Sequence, residues 1–218
     1  MSFDPVPATI TELCRGASAS WRALELGCGD GQMRAHVRAA GAWCAGLDCA
    51  PRGLAAAVDV RGDARHPPLR ARSLDLVLAA NLVRHLVPGD PELRFLASWL
   101  ELLRPGGSVF VLEDEPSSGA AAANHRDLQA LLARLAPTAR GPLLAKDTFE
   151  TLLPAHLRRC VVAGGTEANR WRQDAAAAMA MLASGHPRAG GEADRLLSAI
   201  RRHGLECGRM WWLRLQAE

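Results

Sequence analysis

Residues 23–32 read ALELGCGDGQ: an apolar run reaches Glu25, and Gly27, Gly29 and Gly31 follow before a helical pattern begins. Glycines at alternate positions let the chain turn sharply through positive φ and let a ligand lie against bare backbone. A helix starting there directs its unpaired N–H groups and the positive end of its dipole into the turn. A carboxylate two places before the first glycine suits a cationic ligand better than a diphosphate. Asp48 ends a second apolar run, Gly62-Asp63-Ala64 follows a third short one, and Asn81 follows a fourth. Carboxylates at such ends can accept from paired hydroxyls or from an amine. His85, four residues beyond Asn81, is the histidine best placed to take a proton near neutral pH. Glu113, Asp114 and Glu115 cluster after a fifth run, where they could orient a cationic acceptor, bind a metal or crown a solvated loop.

These residues can meet only if regular elements carry them to one edge. The sequence predicts strands at 23–26, 43–47, about 59–61, 73–80 and 108–114. Helices are expected at about 5–18, 30–40, from Pro51 to about Val58, and over 94–107. Regular alternation of strand and helix argues for βαβ crossovers, and continuous apolar runs argue for a parallel sheet covered on both faces. Beyond Asp114, a flexible segment 115–124 precedes a helix at 125–135. A short helix over 146–153 and a strand over 157–162 follow. Two helices are expected over 166–184 and 192–203, and a last strand within 204–217. In open α/β sheets a ligand lies beyond the carboxyl ends of the strands, which places Gly27, Asn81 and Glu113 around one cleft.

The glycine motif resembles the first motif of the Rossmann-like, class I S-adenosylmethionine-dependent methyltransferases, and the likeness extends from about Trp21 to Val111. Asp48 stands where that family keeps a ribose-binding acid, and Asp63-Ala64 where it holds the adenine edge. Residues 73–86, SLDLVLAANLVRHL, resemble its fourth-strand motif, and LLRPGG (102–107) its turn into strand five. The resemblance implies an α/β fold with a Rossmann-like, seven-stranded, mostly parallel sheet flanked by helices, and S-adenosylmethionine as cofactor. It places Glu25, Gly27, Cys28, Gly29, Gly31, Asp48, Cys49, Asp63, Ala64 and Asn81 around that cofactor, with His85 and Glu113 as candidate catalytic residues and no metal. Glu25 reads as a ligand-side carboxylate or a backbone cap, and Asn81 likewise. A dinucleotide turn would want its third glycine where Gln32 stands, and a phosphate-binding loop would want Gly-Lys-Ser/Thr.

With 218 residues, 49% of them hydrophobic, the chain suits one domain, with a core over about 20–165 and 204–218 and a helical insertion at about 166–203. That insertion could cover the acceptor or build a homodimer face, and Arg170-Trp171-Arg172 could meet an anionic or aromatic substrate. A net charge of +3, without a run of basic residues, does not favour nucleic acid. Six cysteines without paired spacing read as reduced thiols of a cytoplasmic protein. No membrane span and no signal peptide are expected. The reading that follows is methyl transfer to oxygen or nitrogen of a small-molecule acceptor. The alternatives are a non-catalytic cofactor-binding or assembly subunit with this fold, and a methyltransferase acting on RNA or protein.

Overall fold

Apolar runs that can be buried from both sides become the strands of one sheet. The computed structural model describes residues 8–29, 31–49, 58–116, 118–135, 141–168, 172–173 and 190–217. Parallel strands β1 (Arg22–Leu26), β2 (Trp43–Asp48), β3 (Val60–Arg61), β4 (Leu74–Ala80) and β5 (Leu103–Glu115) form most of the sheet. Then come β6 (Val161–Ala168), a two-stranded pair of β7 (Arg172–Gln173) and β8 (Leu205–Glu206), and β9 (Arg209–Gln216). The seven-stranded order is β3-β2-β1-β4-β5-β9-β6, with β9 antiparallel to both of its neighbours.

Helices cover both faces. On one side α1 (Ala8–Cys14) and α2 (Gln32–Ala39) close over Cys44, Leu76, Phe110 and Met210. On the other, α3 (Val83–Leu86), α4 (Arg94–Glu101), α6 (Lys146–Leu152) and α7 (Ala155–Arg158) cover Leu24, Val77, Val109 and Leu213. A third apolar cluster joins α5 (Ala120–Leu135) to α8 (Gly190–His203) and β8 through Leu128, Leu131, Leu196 and Ile200. The two adjacent tryptophans of β9 alternate across the sheet, as a period of two requires. Trp211 stacks on Phe149 at 5.1 Å, and Trp212 stacks on Phe110 at 5.7 Å.

Several boundaries differ from the sequence expectation. The helix expected over 94–107 ends at Glu101, because Pro105 and a positive-φ Gly106 cannot continue it. Residues 103–107 instead begin β5, with an irregularity in its pairing to β4. The segment expected to be flexible over 115–124 supplies the first turn of α5, since Gly119 ends the loop and an alanine run has high helix propensity. The strand expected at 157–162 begins only at Val161 and runs to Ala168; Pro154 opens the short helix α7 in front of it. Residues 166–168 and 172–173 are therefore strand, where a helical insertion over 166–203 was expected, and α8 is its one described helix. The helix expected from Pro51, the remainder of 174–189, and Arg170-Trp171 lie outside the described residues. No helix among the described residues is long and apolar enough to cross a membrane.

Trp211 is fully buried, and its indole N–H donates to the Leu144 carbonyl at 2.6 Å. Trp211→Ala should lower unfolding free energy by about 3–5 kcal/mol in a urea titration, from the cavity and the orphaned carbonyl together. A loss below about 1 kcal/mol would show that β9 is not anchored through this residue.

Candidate functional site

The turn after β1 is shaped by close approaches. Gly27 has φ +63, and a Cβ there would come within 2.8 Å of the Leu82 side chain just ahead of α3. The backbone conformation favours glycine at this position, and any larger side chain would also have to displace Leu82. A Cβ on Gly29 would meet nothing within 4 Å, so open space faces its backbone. The Gly29 N–H donates to Asp48 Oδ2 at 2.9 Å, which draws the end of β2 against the turn. Glu25 is buried, and its Oε2 accepts the Arg34 N–H in the first turn of α2 at 2.8 Å. The residue capping α2 is Gly31, in a left-handed conformation without a side-chain cap. Glu25 therefore answers the helix from the neighbouring strand, which is the backbone-capping alternative for this residue. Asp30 lies outside the described residues.

The two cysteines of this edge differ in environment. Cys28 is buried, and desolvation first, then Glu25 and Asp48, push its thiol up to about 12. It remains a neutral packing group. Cys49 is exposed. Asp63 Oδ1 accepts the Arg65 N–H at 2.9 Å in a tight turn. The adjacent Ala64 carbonyl accepts the indole N–H of buried Trp99 at 2.6 Å, so α4 fixes the backbone of this segment. A bare-backbone cradle at Gly29, a carboxylate beside it, and a second pinned turn at Asp63-Ala64 fit a cofactor that carries a ribose, an adenine and a positive charge.

The ends of β4 and β5 make the adjoining part of the site. Asn81 has φ +52; its N–H donates to the Leu112 carbonyl at 2.7 Å, and its Oδ1 accepts the Asp114 N–H at 3.0 Å. It ties the two strands together, as the capping alternative expected. His85 Nδ1 accepts the Gly141 N–H at 2.8 Å. A side chain at Gly141 would collide with the Arg84 carbonyl, so only glycine allows this approach. Arg84 Nε lies 3.4 Å from His85 Nε2 and 3.8 Å from Glu113 Oε2.

Glu113 is entirely buried. Desolvation raises its carboxyl to about 7, opposed by Arg84 and reinforced by Asp114. Its Oε1 accepts the Arg84 backbone N–H at a long 3.4 Å. The three consecutive acids do not form one acidic site. Glu113 turns to Arg84, Asp114 lies 4.0 Å from His125 Nε2, and Glu115 lies 3.4 Å from Arg209 Nε. His125 sits inside α5 and is buried, whereas the sequence made it the first residue of a helix following a flexible segment. Arg84, Trp99, Gln129 and Gly141 were not singled out from sequence. The available signal was an arginine set among Leu82, Val83 and Leu86, where a buried charge needs a partner.

The raised Glu113 carboxyl has a sign that can be tested. Between its ordinary value near 4.5 and about 7 the folded state holds a proton that the unfolded state has released. Stability from this group is therefore complete below the lower value and is lost as pH rises through the upper one. His125 is lowered by burial and works in the opposite sense at acid pH, so the variant must be compared with the parent at each pH. Glu113→Gln should gain on the parent by about 2–3 kcal/mol between about pH 5 and about pH 8 in urea unfolding. A constant difference would mean that Glu113 does not titrate in this range.

Residues 24–111, which contain the glycine turn, Asp48, Asp63 and Asn81, match the methyltransferase domain family. No curated protein matches the chain by sequence. The fold is shared with solved structures. The YcgJ protein of Bacillus subtilis aligns with a TM-score of 0.67 at 11% identity, covering 97% of this chain and 99% of its own. An S-adenosylmethionine-dependent methyltransferase of Archaeoglobus fulgidus aligns with a TM-score of 0.59 at 16% identity, covering 99% and 94%. Another, from Methanosarcina mazei, gives 0.56 at 11% identity, covering 92% and 94%. The matched segment, the strand order and the glycine cradle agree: residues 24–111 match a methyltransferase domain, and the chain shares the fold of solved S-adenosylmethionine-dependent methyltransferases.

Proposed function

We propose that the protein transfers a methyl group from S-adenosylmethionine to an oxygen or nitrogen of a small-molecule acceptor, with S-adenosylhomocysteine as the product. The observation that carries this reading is Glu113, a fully buried carboxyl whose Oε2 has no hydrogen-bond partner among the described residues. A buried polar atom left unpaired costs about 1–3 kcal/mol, and a ligand bearing O–H or N–H removes that cost. Such an acceptor has a proton to lose on methylation, and a carboxyl poised near neutrality is matched to receive it. A carboxyl buried at the end of β5 against Arg84 of α3 suits a compact acceptor.

Bound S-adenosylmethionine supplies an electrophilic methyl group on a sulfonium. The chain contributes position and charge around it. Gly27, Cys28, Gly29 and Gly31 offer backbone for close approach; Asp48, beside Cys49, takes the ribose hydroxyls; Asp63 and Ala64 take the adenine edge. Glu25 and Asn81 hold the turn and the end of β4 in register beside the methionine portion. His85 has Nδ1 engaged by the Gly141 amide, so it orients the start of α3 while Glu113 takes the proton.

Calorimetric titration with S-adenosylmethionine and S-adenosylhomocysteine, followed by assay of S-adenosylhomocysteine release across hydroxyl- and amine-bearing acceptors, tests the reading. Both nucleosides should bind at micromolar levels, and Asp48→Ala should weaken them by roughly 1–3 kcal/mol. Binding without turnover on any acceptor would favour the non-catalytic subunit. Unchanged affinity in Asp48→Ala would remove that residue from the site.

A further inference from the structure

Helix α5 buries polar side chains on the side that brings His125 to Asp114 at the end of β5. Asn124, His125 and Gln129 are each at least nine-tenths buried. Asn124 has a structural use: its Nδ2 donates to the Gly204 carbonyl at 2.8 Å, which ties α5 to the turn before β8. His125 Nε2 lies 3.3 Å from Gln129 Nε2 and 4.0 Å from Asp114 Oδ2. Desolvation lowers its pKa from the ordinary value; Asp114 opposes this and the Arg84 charge adds to it, so the ring is neutral at neutral pH. Arg84 also lies against Glu113, which links both sides of the cluster through one guanidinium.

Among the described residues, three buried side-chain atoms have no hydrogen-bond partner: Arg84 Nη1, Glu113 Oε2 and Gln129 Oε1. They lie along one chain of contacts: Arg84 against Glu113, Gln129 against His125, and His125 within reach of the Arg84 charge. A polar network that serves only stability has its members satisfied, because each orphan in a low dielectric is costly. The unmet set consists of one donor and, with Glu113 ionised, two acceptors. Its complement is a group that brings two N–H donors and one acceptor oxygen. Glu113 beside the Arg84 guanidinium disfavours a ligand that is only an anion.

We propose that Arg84, Glu113 and Gln129 recognise the acceptor, and that the acceptor presents a nitrogen bearing at least two hydrogens beside a carbonyl or carboxylate oxygen. Amino-acid head groups and primary carboxamides share this chemistry. The nitrogen donates to Glu113 and Gln129, and the oxygen accepts from Arg84. This assignment rests on the methyl-transfer reading above and narrows its acceptor class.

The test uses the full chain saturated with S-adenosylhomocysteine and ligand-observed NMR with four small probes. L-alanine and propionamide carry both kinds of group, while propionate lacks the donors and N,N-dimethylpropionamide has its nitrogen blocked. One or both of the first pair should bind at least about tenfold more tightly than either control, the ratio set by one buried hydrogen bond. Which of the two binds identifies the source of the chemistry. Gln129→Leu and Arg84→Lys should each erase that preference while S-adenosylhomocysteine affinity stays unchanged. If neither L-alanine nor propionamide binds, or if Gln129→Leu keeps the preference, the assignment is overturned. Orphans met only by internal water would alter the melting temperature of Gln129→Leu and produce no probe preference. Failure of S-adenosylhomocysteine itself to bind would instead sink the methyl-transfer reading.

Discussion

Backbone amides at the carboxyl edge of the sheet set the terms for everything else. Where parallel strands give way to helices, the first helical N–H groups have no carbonyl to meet. The residues at the N-caps of α2, α3 and α4 are Gly31, Leu82 and Leu93, and none supplies a side-chain cap. Oxygens from elsewhere answer instead: Glu25 for Arg34, Glu113 for Arg84 and Asp90 for Phe95. Asp48 does the same for Gly29, Asn81 for Asp114, and Asp59 for Gly46. A hydrogen bond to a charged group contributes about 1.5–3 kcal/mol, so this edge is held together largely by its acids. The residues available to a ligand are thus also the residues that close the backbone.

The two buried glutamates show how this double duty divides. Glu25 meets an amide at 2.8 Å on a helix whose arginines are engaged elsewhere: Arg34 pairs with Asp59, and Arg38 reaches Asp59 and the Cys44 carbonyl. Glu113 also meets the Val83 backbone, but it meets the Arg84 amide only at 3.4 Å and the Arg84 guanidinium only at 3.8 Å. The first carboxylate is committed to architecture. The second is held beside its partners without being satisfied by them, which is the condition for ligand-dependent chemistry in a low-dielectric place.

The glycine turn and the parallel strands were legible in the sequence because local chemistry dictates them. Gly27 and Asp48 stand at places where backbone conformation and strand ends leave few choices, and the structure sets the Gly29 amide against Asp48. The side proposed to meet the acceptor was less legible. Its residues come from α3, β5, α5 and the loop at Gly141, which are distant in sequence, so no spacing links them. Alanines at 120–123 resembled a flexible spacer when read alone, although tertiary packing of Leu128 and Leu131 on α8 makes them a helix. In the same way, Gly164 and Gly165 gave β6 no strand signature; its place is set by pairing with β9.

That pairing bears on how the protein is made. β9 lies between β5 and β6, and a long stretch of chain separates Glu115 from its partner Arg209. During synthesis, β5 must leave the ribosome long before the strand that covers its edge. For that interval Val109, Val111 and their backbone groups present an open template for another nascent chain. Such distant pairings close slowly. Expression of this fold is therefore expected to depend on translation speed and on holding chaperones as much as on the final strength of the sheet.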